Sequence, residues 1–242
     1  MDRHLAFGHL RNFRDLGGYR GFEGRTVRWG RLYRSDALSK MDDADWARFL
    51  ELGVKTVIDL RYPWEIERAG RVREYHGLAY HNLSVEHRPY RQATLGPEVA
   101  TGPYLAGKYA EVAQDGVVEL RQALDVIVAD DSAPVVFHCA SGKDRTGLLA
   151  ALVLTLLDVP DEVIVEDFAL TELATPGLVA DMTARMGVAP TWPGYGRAPA
   201  EVMTLFLAWA EENHGSLRGY AEKQLGIDDA YVARLRATLL DP

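Results

Sequence analysis

Apolar and polar positions along the chain fall into short β-like runs separated by longer helical stretches. KTVIDL (55–60) and VVFHC (135–139) are apolar runs of strand length with β-branched residues, and they predict buried strands. LAYHNLSV (78–85) alternates and predicts another strand. Residues 10–36 carry turn signals in NFRDLGGYRG, followed by TVRWGRLYRSD, which predicts a turn and then a short strand. SKMD suits a helix start, and the helix runs through DADWARFLEL to a stop at Gly53. Residues 104–129 read as helical with a break at Asp115 and Gly116. RTGLLAALVLTLLD is apolar on every side and predicts a buried central helix. PDEVIVEDFAL begins a further helix, with Pro160 and two acids fitted to a first turn. Three helices follow at 200–213, 216–225 and 228–240, and the apolar face of VMTLFLAW reads as core.

Two stretches break the pattern. Residues 86–103 are polar and proline-bearing and predict a loop, with a lid or insertion over 86–116. Residues 187–199 predict a second loop. Alternating strands and helices give an α/β class with a largely parallel sheet and a helical C-terminal part over 160–242, in one domain spanning 1–242. Ligands of such sheets bind at the carboxyl ends of strands, where His138 and Cys139 stand.

That position makes HCASGKDRTG the chemical centre of the chain. Strand, tight loop and helix start form a layout that binds phosphate through free amides and the helix dipole. Residues Ala140, Ser141, Gly142, Lys143, Asp144 and Arg145 would curl around an anion, with Gly142 permitting the turn and Arg145 giving paired hydrogen bonds. The same field favours the thiolate of Cys139, the single cysteine of the chain, as a nucleophile aimed at phosphorus. Thr146 would donate to the departing sulfur, and His138 would orient the loop.

HC-x-x-GKDRTG, with NFRDLGGY (12–19), GRLYRSDALS (30–39) and the C-terminal GSLRGYAEKQLGIDDAYVARLRATLL, resembles the bacterial tyrosine phosphatases of the cysteine-dependent superfamily. The resemblance implies a three-layer phosphatase-like sandwich and metal-free phosphomonoester hydrolysis with no cofactor. It implies phosphorylated protein substrates bearing phosphotyrosine, with phosphoserine, phosphothreonine and phosphoinositides as further candidates. Lys143 and Asp144 are the positions that the resemblance ties to lipid activity.

Expelling a tyrosine oxygen needs an acid. The Trp-Pro-Asp loop of many tyrosine phosphatases is absent; Trp192-Pro193 is followed by Gly194. Two candidates remain. Asp144 lies in the loop, and the resemblance favours it. Asp59 ends a predicted strand and would face the same cleft, or serve as a structural partner of Arg61 or Arg34. Those two arginines are open to a second reading, as receptors for a second phosphate. Arg14 and Asp15 read as holding a turn, with positive φ at Gly17 and Gly18. Tyr90, Trp192 and Tyr195 fall in the two loops as pocket-lining candidates.

Composition narrows the partners. The net charge of −8 argues against nucleic acid, and no apolar run reaches the ~20 residues of a membrane span. His76, His81 and His87 show no metal-ligand spacing. One cysteine excludes an internal disulfide and disfavours arsenate reduction, which needs a resolving thiol. The N-terminus carries no apolar signal core, so the sequence predicts a cytoplasmic protein, with export by a route lacking a cleaved leader as the exception. A phosphatase fold retained only for binding is the rival from another functional class.

Overall fold

A computed structural model describes residues 3–89 and 92–242. Its strands are β1 (Arg14–Asp15), β2 (Leu32–Ser35), β3 (Thr56–Asp59), β4 (Ala79–Asn82) and β5 (Val135–His138). They form one sheet in the order β1–β2–β5–β3–β4. β1 is antiparallel to β2, and every other pair is parallel. Ser35 pairs with His138, His138 with Asp59, and Asp59 with Asn82. Four residues thus end the parallel strands at one level, the edge from which the HCASGKDRTG loop departs.

The sheet is covered on both faces because successive strand residues point to opposite sides. Leu32, Ile58, Val135 and Phe137 enter a large core, whereas Tyr33, Val57 and Val136 enter a smaller one with Leu10, Phe13 and Phe49. α1 (Asp43–Glu51) supplies Phe49 to the smaller core. On the other face α5 (Asp144–Leu156) is central, and all of it is buried except Asp144 and Thr155. Around it pack α3 (Thr101–Asp115), α4 (Val117–Val128), α6 (Asp161–Ala169), α9 (Leu217–Leu225) and α10 (Asp229–Leu239). α8 (Ala200–His214) lies against α3, α6 and α9 and buries Val202, Met203 and Phe206.

Some predicted bounds move. The irregular stretch after β4 ends at residue 100, because α3 starts at Thr101 and sinks Leu105, Tyr109 and Val112 into the large core. Residues 101–115 are therefore a core helix rather than part of a lid. Tyr90 lies outside the described residues. Two helices are not placed individually by the sequence reading, although the second lies within its helical C-terminal part. α2 (Pro63–Ala69) buries no residue, so it leaves no apolar stripe to detect. α7 (Thr175–Met186) follows a 3₁₀ segment, Leu170–Ala174, that ends the run of α6. No helix among the described residues is long and apolar enough to cross a membrane.

Candidate active site

The loop leaving β5 is shaped from behind. His138 Nδ1 lies 3.1 Å from the Cys139 carbonyl. The Ala140 carbonyl accepts from Ala37 N at 3.3 Å. The Ser141 and Gly142 carbonyls accept from Asn12 Nδ2 at 3.1 and 3.0 Å, and Gly142 also from Arg34 Nη2 at 2.9 Å. In a trans peptide the C=O and the following N–H point opposite ways. Four carbonyls turned outward therefore leave the amides of residues 140–143 facing inward, as an anion nest requires. The backbone passes so close to β2 that a Cβ on Gly142 would lie 2.6 Å from the Ser35 carbonyl, and Gly142 has φ +66°. α5 begins at Asp144, so the unpaired amides of its first turn add to the cup.

Cys139 is buried and lines a cavity of about 500 Å³ together with Tyr62, Glu86, Lys143, Asp144 and Arg145. Arg145 Nη1 and Nη2 donate to Glu65 at 2.5 and 3.1 Å, and Nε lies 3.4 Å from Glu86. Burial alone would lower the Arg145 pKa, but the Cys139 charge and Glu65 raise it well above its ordinary value. Burial pushes the Glu86 carboxyl up, against the pull of Arg145. Glu65 moves the other way: Arg145 outweighs its burial and holds it low.

Lys143 is not a solvated cation. It is buried, and its Nζ donates to the Arg197 carbonyl at 3.1 Å and lies 3.4 Å from Asp144. Asp144 accepts from Tyr109 Oη at 3.0 Å and Gln92 Nε2 at 3.2 Å. Thr146 is fully buried, and its hydroxyl has no hydrogen-bond partner among the described residues.

Asp59 ends β3 as expected but does not face the cleft; it lines neither of the two cavities beside the loop. Its carboxylate accepts from Arg61 Nε and Nη2 at 2.9 and 2.7 Å and from Tyr80 Oη at 2.9 Å. Burial would raise it, yet His138 and Arg61 bring it down to about 2. His138 is itself fully buried, and that burial lowers its pKa against the pull of Asp59, 3.6 Å from Nε2.

A second buried cluster stands directly behind the cup. Asp167 of α6 takes Arg14 Nε at 3.1 Å, Arg34 Nη1 at 2.7 Å and Tyr19 Oη at 2.9 Å. Arg14 also binds the Asn12 side chain, which holds the loop. Two guanidiniums against one carboxylate leave an excess positive charge behind the anion nest. Burial and Arg14 lower Arg34 to about 10, so it stays charged at neutral pH. Asp167 is held well below the carboxylate range, burial notwithstanding, by Arg14 and Arg34.

Arg14 thus reaches α6 instead of holding a turn, and Arg34 pairs with Asp167, not with Asp59. Arg34 and Arg61 both form buried ion pairs; Arg34 lines neither cavity beside the loop, whereas Arg61 lines the larger one. Asp15 does hold the turn, accepting from Gly17 N and Gly30 N at 2.7 Å. Of the two glycines only Gly18 has positive φ; Gly17 is required because the Trp29 backbone comes within 2.6 Å of its missing Cβ. Trp192 is core, donating Nε1 to the Val99 carbonyl at 2.8 Å, whereas Tyr195 lines the cavity. His9, Asp42 and Asp45 bring ligand-type atoms within 4.8 Å of one another, but Asp45 is taken by the amides of Gly8 and His9.

Sequence reasoning passed over Asn12, Glu65, Glu86, Gln92, Tyr109 and Asp167. Only Glu65 left a local signal. It is a first-turn acid two residues after Pro63, accepting from Tyr62 N at 2.9 Å.

Residues 5–241 match the profile of the tyrosine phosphatase family. A protein of Cupriavidus necator is 31% identical over 98% of this chain and 88% of its own length. The triple specificity protein phosphatase PtpB of Mycobacterium tuberculosis is 30% identical over 95% of this chain and 96% of its own. A tyrosine-protein phosphatase of Nostoc commune is 28% identical, covering 85% and 73%.

Proposed function

The chain belongs to the tyrosine phosphatase family, and we propose that it hydrolyses phosphotyrosine in proteins through a phosphocysteine on Cys139. The observation that carries this reading is the outward turn of four consecutive loop carbonyls beside Cys139 and Arg145, which leaves an amide-lined cup for a tetrahedral dianion.

In the first step the Cys139 thiolate attacks phosphorus. The S–P bond forms, the P–O bond to tyrosine breaks, and the leaving oxygen takes a proton from Asp144. In the second step water attacks phosphorus and gives its proton to Asp144. The S–P bond breaks, and phosphate leaves with the thiolate restored. Arg145 stabilises the charge on the equatorial oxygens. Glu65 grips one N–H on each of Nη1 and Nη2, which sets the guanidinium plane beside Cys139. Thr146 donates its free hydroxyl to the sulfur as it departs.

Asp144 is the better acid candidate because it lines the cavity that holds Cys139, while the Asp59 carboxylate is committed to Arg61 and Tyr80. The proposed range extends to phosphoserine and phosphothreonine, with PtpB's triple specificity in support, and to phosphoinositides, where Lys143 sits beside Arg145.

The test is turnover of phosphotyrosine, phosphoserine and phosphothreonine peptides and soluble phosphoinositides, with Cys139→Ser as control. An acid quench of wild-type enzyme with substrate should trap phosphate on the Cys139 peptide by mass spectrometry. Ligand retention without product release would assign the fold to binding instead.

A further inference from the structure

We infer that a second anion subsite, formed by Arg68 and Arg185 beside the cup, takes a second phosphate carried on the same peptide substrate. The inference rests on the phosphatase reading above.

The cavity at Cys139 shares lining residues with a second one of about 700 Å³. Both are lined by Ala140 and Ser141 of the loop, and by Arg68 from α2 and Arg185 from α7. Helical spacing explains why these arginines meet the groove. Arg68 lies three residues after Glu65, on the face that grips Arg145. Arg185 continues the helical row of Leu178 and Met182, which line both cavities.

The cations around the groove differ in how they are balanced. Arg61 is bound to Asp59, and Arg145 to Glu65. Lys40 lies 3.0 Å from Asp36 and 3.8 Å from Asp181, which also faces Arg11 at 3.7 Å. Arg68 and Arg185 have no carboxylate partner among the described residues; the one side-chain bond of Arg185 runs to Met182 Sδ at 3.1 Å. Two unbalanced guanidiniums therefore face one trough in a protein of net charge −8. Guanidinium forks match phosphate oxygens in pairs, so a dianion fits this place better than a single carboxylate.

The two phosphates must belong to one molecule for the subsite to assist the cup, since binding at the first then raises the effective concentration at the second. Two adjoining cavities that share Leu178 and Met182 suit an extended peptide whose intervening side chain lies on those two residues.

The experiment compares kcat/KM for a peptide bearing one phosphotyrosine with the same peptide bearing a second phosphate a few residues away. It uses wild type, Arg68→Ala, Arg185→Ala and the double variant, at low salt, with thermal melts to show that each is folded. A soluble inositol bisphosphate forms a third arm. The doubly phosphorylated peptide should be preferred by about tenfold, through KM, and the preference should shrink in each single variant and vanish in the double. Arg→Lys at either position should keep part of it. An absent preference, or one that survives in the double variant, overturns the subsite. A preference confined to the inositol bisphosphate overturns the peptide assignment. If the singly phosphorylated peptide is itself not hydrolysed, or Cys139→Ser still hydrolyses it, the phosphatase reading has failed instead.

Discussion

Arg34 Nη2 donates to the Gly142 carbonyl at 2.9 Å while its Nη1 holds Asp167 at 2.7 Å. One fully buried side chain thus ties the back of the phosphate cup to α6, 108 residues along the chain in one contact and 133 in the other. It supplies both a donor that turns a loop carbonyl outward and part of the positive charge beneath the site.

Arg34→Met should leave Asp167 short of a partner and the Gly142 carbonyl with Asn12 alone. Breaking a buried charged pair in this way costs ~3–5 kcal/mol, measurable by urea unfolding. The KM for p-nitrophenyl phosphate should rise as well, and Arg34→Lys should recover part of it by restoring charge. If Arg34→Met unfolds early yet keeps the parent KM, the side chain supports the fold and not the cup.

Gly142→Ala tests the loop backbone itself. A Cβ at φ +66°, 2.6 Å from the Ser35 carbonyl, forces the loop off its path. Holding a non-glycine residue there costs ~1–3 kcal/mol. Inorganic phosphate should then lose its power to protect Cys139 from alkylation. Unchanged protection in a folded variant would mean that the amides do not form the anion site.

Asp144→Asn should slow hydrolysis of phosphotyrosine by on the order of 10²-fold, and of a substrate with a far better leaving group much less. Asp59→Asn should show no such dependence on the leaving group. The reverse pattern would hand the acid role to Asp59.

Acid stability follows from the depressed carboxylates. The Asp59 carboxyl falls from 3.8 to about 2 in the folded protein. The unfolded chain therefore takes up the proton first as pH falls, and stability present above pH ~4 is lost between there and about 2. The contribution is about 2 kcal/mol. Asp167 is depressed in the same sense, so its loss adds at the acid end. Asp59→Asn should be less stable at neutral pH, with Arg61 left unpaired, yet lose less between pH 4 and 2. A variant that tracks the parent's acid slope would show that Asp59 is not the group being titrated.

The HCASGKDRTG loop, the strand before it and the buried helix after it were legible in the sequence because each depends on near neighbours. An apolar run makes β5, an all-round apolar segment makes α5, and a glycine permits the turn between them. The order of the sheet and the partners of the buried charges were not legible. Arg34 meeting Asp167, Asn12 meeting Ser141, and Arg145 meeting Glu65 join residues 133, 129 and 80 positions apart. A charged side chain carries no local mark of which opposite charge packing will bring to it. Asp59 shows the consequence: sequence put it at the right strand end, but only the packed sheet decided that it turns to Arg61 and Tyr80 and away from the cleft.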